Sequence, residues 1–183
     1  MKRKTMIAAI SVFVLGALWY AFRPERLFID QTVHENLPPG LMPRATTADP
    51  GLAILSSGNF HDGAHTTRGM ATIYQLQGGR RALRLTQFET SNGPDVQVYL
   101  VAAPDAMDNA TVKNSGFVSL GAMKGNKGDQ NYEVPSDVDL SKYRAVTIWC
   151  RRFGVNFGTA PLSLTNSMAS DPMQPQILGV RAF

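Results

Sequence analysis

The chain has 183 residues, enough for one domain with attachments, and a formal charge of +4. Lys2, Arg3 and Lys4 supply three of its 18 basic residues, and the rest nearly balance the 14 acids, which leaves no basic face for a nucleic-acid partner. Its single cysteine excludes an internal disulfide and a CxxC redox pair.

In chain order, residues 6–22, from Met6 to Phe22, form seventeen uncharged positions. As a helix they span about 25 Å, near the short limit for crossing a bilayer. Trp19 and Tyr20 stand near the far end, where amphipathic rings favour the membrane boundary, and the preceding cations keep the N-terminus cytoplasmic. A cleaved signal peptide is the rival reading. It is disfavoured because bulky Leu18, Trp19, Tyr20 and Phe22 fill the region where a small-x-small site would lie. The expectation is one transmembrane helix with the body of the protein outside the cytoplasm.

Residues 23–56 read as a linker with some local structure, broken by Pro24, Pro38, Pro39, Pro43 and Pro50, with a turn at Leu37-Pro38-Pro39-Gly40 and short apolar pieces such as Leu27-Phe28-Ile29 that dock on the domain or lie on the membrane surface. From residue 57 the texture changes. Residues 70–76 and 82–88 alternate across Gly78-Gly79, a hairpin pattern. Asn92-Gly93-Pro94 is a turn, and residues 96–101 are a strand by β-branched and aromatic content. Residues 104–115 read as a surface loop. Short strands follow at 116–120, 131–134, 145–150 and 153–157, with a helical turn at 139–143. No segment of helical period appears between residues 58 and 164. The expected fold is all-β, an antiparallel β-sandwich or barrel-like domain over residues 57–164, with a tail at 165–183 whose apolar end packs back on the domain.

Cys150 ends the most apolar strand. Val146, Ile148 and Cys150 share one face, Thr147, Trp149 and Arg151 the other. Burial beside Val146 and Ile148 makes Cys150 an inert core thiol. Its position beside Arg151 and Arg152 argues the opposite, a thiolate stabilised by cations. A pocket at the strand's exit would draw on His65, Asp95 and the turn at Asn92. All three histidines precede residue 66, which excludes the small blue-copper spacing. Cys150 with His61 and His65 across the fold is geometrically open, but no motif marks a metal site. CxxCH, GxSxG and HExxH are absent.

Three runs taken together resemble the DM-thirteen domain family, an "electron transfer" module: Asn92-Gly93-Pro94-Asp95, Lys124-Gly125-Asn126-x-Gly128, and Ile148-Trp149-Cys150-x-x-Phe153-x-Val155-x-Phe157. The resemblance covers roughly residues 57–164. It implies a β-rich extracytoplasmic domain whose signature cysteine is Cys150, a redox centre acting as a bare thiol or as a ligand to a group such as haem. It also implies an extracytoplasmic redox or protein partner. The alternative is a non-enzymatic surface binding or scaffold module with Cys150 as core filling.

Overall fold

The computed structural model describes residues 2–22, 29–37 and 53–165. The turn expected at Pro38-Pro39-Gly40 and the packing of the tail lie outside these residues. Helix α1, Lys2–Phe22, is exposed on every side from Arg3 to Tyr20, and is long and apolar enough to cross a membrane.

The domain is two open sheets packed as a sandwich rather than closed as a barrel. One sheet has six strands, ordered β1 (Thr32–His34), β8 (Lys127–Val134), β5 (Arg81–Glu89), β4 (Arg68–Gln75), β2 (Ala53–Asn59) and β11 (Ser163–Leu164). The other has five, ordered β3 (His61–Asp62), β10 (Val155–Pro161), β9 (Ala145–Cys150), β6 (Val96–Val101) and β7 (Phe117–Ala122). Every pair is antiparallel except β1 with β8, which is parallel.

The period-2 pattern decides which residues meet between the sheets. Ile73 of β4, Leu83 and Leu85 of β5, Val98 and Leu100 of β6, and Val146, Ile148 and Cys150 of β9 all face one core. Pairing β4 with β5 puts Ile73 opposite Leu83 and Ala71 opposite Leu85. The hairpin forms because Gly78 and Gly79 adopt φ of 73° and 79°, a region that L side chains rarely enter. Gln130, fully buried, is satisfied, whereas the buried Ser56 Oγ has no hydrogen-bond partner among the described residues. Gln130 Oε1 accepts from the Tyr132 hydroxyl and from the amides of Lys124 and Gly125, which ties the 123–126 loop to the sheet. Burial pushes the Tyr132 phenol up to about 12.

Two sequence expectations meet a different structure. Residues 104–115 contain a helix, α2 (Asn109–Ser115), instead of being loop throughout. Asp108 caps it by accepting from the Thr111 amide at 2.7 Å. With Val112 its only buried residue, a seven-residue helix shows no readable apolar period. Within the stretch read as linker, β1 adds an edge strand to β8, and β2 runs from residue 53 as a full strand beside β4. Glycine permits the first of these. A Cβ on Gly128 would lie 2.0 Å from the Val33 carbonyl oxygen, so β1 can approach only a bare backbone.

Candidate functional site

All six residues of β9 are buried, on both faces. The inner face, with Cys150, belongs to the main core. The outer face belongs to a second cluster, in which Trp149 and Ala145 pack with Tyr99 and Val101 of β6 and with Ala103, Ala106 and Val112. Residues 102–116 thus form a cover over the five-stranded sheet. Buried polar bonds hold it there. Asn156 Nδ2 and Thr159 Oγ1 both donate to the Ala106 carbonyl, at 2.7 and 3.0 Å, and the Asn156 amide donates to Asn109 Oδ1. His61 Nε2 lies 2.8 Å from Asp105 Oδ1 at the cover's start. Burial pulls the His61 pKa down, but its bonds to Asp105 and to the Asp62 carbonyl outweigh that and leave it raised.

Cys150 is fully buried, at 0% exposure. Its backbone pairs with Val96 on one side and Val155 on the other. The 151–154 turn that follows is closed by a bond from the Gly154 amide to the Cys150 carbonyl. Gly154 takes a φ of 64° there. Arg151, expected as a cation beside the thiol, is committed elsewhere. Its Nε donates to Asp95 Oδ2 at 2.8 Å and its amide to the Asp95 carbonyl, while Gln97 donates to the other carboxylate oxygen. That hydrogen bond and charge raise the Arg151 pKa. Asp95 is therefore a clamp between the 92–95 turn and the end of β9.

The 92–94 turn does border open clefts, one on each side. The smaller, about 230 Å³, is walled by His65, Pro94, Phe153, Val155 and Phe157. The larger, about 420 Å³, lies between this turn, residues 29–31 and the 122–125 segment. Cys150 lines neither. A bulge shapes the smaller of them. The β9–β10 register slips between Asn156 and Gly158. The extra residue, Phe157, turns into the main core while Asn156 points to the cover. The Phe157 ring meets the His65 ring at a centroid distance of 3.9 Å. Gly93 packs so closely that a Cβ there would lie 2.7 Å from Val96 and 3.1 Å from Phe157. Asn92 donates to the Ile29 carbonyl, joining the turn to the strap that leads into β1.

Of the sequence candidates, His65, Asn92 and Asp95 therefore gather around one end of the sandwich, and Trp149 and Cys150 lie on opposite faces of the strand beside it. Cys150, His61 and His65 do not converge. Among the described residues no cluster of three or more His, Cys, Asp or Glu side chains is placed to hold a metal ion. A haem ligated by Cys150 does not fit this arrangement either, since among the described residues the sulfur lies in the packed core and neither of the two clefts reaches it. The sequence reading marked Ile29 as part of an apolar piece but missed its bond to Asn92. It missed Asp105, which lies in a segment read as a surface loop and is marked only by its contact with His61.

Comparison with known proteins bears on the same region. The family model described as Electron transfer DM13 matches residues 59–162. No curated protein and no solved structure matches the chain.

Proposed function

The chain belongs to the Electron transfer DM13 family, and we propose that it serves as a membrane-tethered, extracytoplasmic accessory domain of an electron-transfer system. In this reading it docks a redox partner and does not carry the electron on Cys150. One observation carries it: Cys150 is fully buried in the main core and lines neither cleft. A thiol reacts as the exposed thiolate, and structural buried cysteines are inert. The apolar helix supports the tether, and Lys2, Arg3 and Lys4 before it support a cytoplasmic N-terminus.

A second reading makes Cys150 a redox thiol released by opening of the 151–154 turn. It is favoured by the position of Cys150 as the last residue of β9, directly before exposed Arg151, Arg152 and Phe153. Voltammetry of the detergent-solubilised full chain separates the two. Docking predicts the same response from wild type, Cys150→Ala and Cys150→Val, with far-ultraviolet circular dichroism confirming the fold of each. A reversible wave present in wild type and lost in both folded variants assigns the electron to Cys150.

A further inference from the structure

The strap that enters the sandwich starts seven Cα steps after α1, since the helix ends at Phe22 and the strap begins at Ile29. Seven steps reach at most about 25 Å when fully extended. A headgroup layer takes roughly 5–7 Å of that. The strap is fixed on the sandwich from Asp30 onward. Asp30 pairs with Lys127 at 2.7 Å and accepts from Asn126 at 2.8 Å, β1 pairs with β8, and Glu35 pairs with Lys124 at 2.7 Å. The 92–94 end of the sandwich, where Asn92 holds Ile29, is therefore the end carried closest to the bilayer.

This end also exposes the right chemistry. Ile29 is 62% exposed and Phe153 is 64% exposed, and the two flank Pro94 across the paired clefts. Phe153 follows two arginines in the turn, an aromatic ring with long cationic stems beside it, which suits the membrane boundary. The charges nearby are largely matched, Lys127 with Asp30, Lys124 with Glu35 and Arg151 with Asp95, so an apolar contact rather than attraction to anionic lipid is favoured.

We propose that Ile29, Pro94 and Phe153 form a lipid-contact rim by which the sandwich rests, 92–94 end down, in the headgroup layer of the membrane that α1 spans. The proposal rests on the tether reading above. A contact of three side chains is weak alone, and the short tether supplies the effective concentration that makes it persist. The opposite end of the sandwich is left free for a partner.

The test uses the full chain in phosphatidylcholine vesicles, with lipids brominated either deep or high in the acyl chain. Trp19 of the wild type reports the anchor. Phe153→Trp and Ile29→Trp, each made with Trp19→Phe, report the rim against the Trp19→Phe parent, in which Trp149 gives the common background. Phe117→Trp is the control. Phe117 is also exposed but pairs with Val101 at the far end of β6, about 17 Å from Val96. The expected result is quenching of Trp19, and of the added emission at 153 and 29, by high bromines more than by deep ones, and none at 117. If Trp19 is quenched while 153 and 29 behave like 117, the rim is wrong and the tether stands. If Trp19 is not quenched, both fall. Quenching at 153 that appears only after phosphatidylserine is added assigns the contact to charge and overturns an apolar rim.

Discussion

The two segments that cover the sandwich work in opposite ways. The 102–116 cover lies on the five-stranded sheet through apolar area, with Trp149, Tyr99, Val101 and Val112 sharing a cluster and the polar bonds of Asn156 and Thr159 inside it. The 29–37 strap lies along the six-stranded sheet through charge. Arg84 donates to Asp129 Oδ2 at 2.7 Å, to Asn131, and to the carbonyls of Glu35 and Asn36, while Glu35 accepts from Lys124 and from the Asn131 amide. Burial raises the Glu35 pKa, but the Lys124 and Asn131 bonds outweigh it and hold the carboxyl below its usual range. Apolar cover contributes most of its stability as area removed from water. Polar attachment contributes less net energy but fixes register, because each bond has only one geometry that satisfies it. The strap positions the chain after the helix, and the cover seals β9.

Breaking the apolar cover should cost most. Trp149→Ala removes a side chain that is 6% exposed, and about 3–5 kcal/mol of unfolding free energy should be lost in urea titration. A loss below about 1 kcal/mol would mean that the cover is loosely seated.

Breaking the strap should cost less. Arg84→Ala takes the Arg84 donor from Asp129 Oδ2, Asn131 Oδ1 and the Glu35 carbonyl, at about 2–3 kcal/mol. Hydrogen exchange should show the loss concentrated in β1 and β8, with β9 still protected. Equal loss in β9 would show that the two covers are coupled.

The smallest effect is at the cover's hinge with β3. Because the His61 pKa is raised in the folded state, its contribution is complete below the unfolded value of 6.5 and is lost as pH rises through the folded value above it. His61 and Asp105 are about one-third exposed, so the loss should be only a few tenths of a kcal/mol. His61→Gln should flatten the slope of stability against pH between neutral pH and just below 6.5. An unchanged slope would assign the pH dependence to other groups.

The alternation in β4, β5, β6 and β9 made the sandwich legible, because the main core is built from residues two apart. The hairpin was legible from Gly78-Gly79, where backbone conformation restricts the residue type. Alternation fell short at Trp149. It places Trp149 with Thr147 and Arg151 on the face away from the main core and gives no sign that a cover including small residues such as Ala103 and Ala106 buries it. The path of the strap was not readable because most of its attachment is made of paired charges and backbone bonds, which leave no apolar period, with Leu37 as an isolated apolar contact on Leu76 and Ala82. At the candidate site, residues 92–95 were found because the turn is local. That the Cys150 side chain turns into the core and lines neither cleft beside that turn depends on packing between the sheets, which spacing does not reveal.

The central claim, that Cys150 is a core thiol, is tested most directly by the rate at which a thiol reagent modifies it in the full chain across a urea series. Burial at 0% exposure predicts modification in native buffer slower than in the unfolded chain by a factor on the order of a thousand or more, rising as urea unfolds the domain. Stoichiometric modification in native buffer at the unfolded-chain rate, with the β-sheet circular dichroism intact, would contradict it.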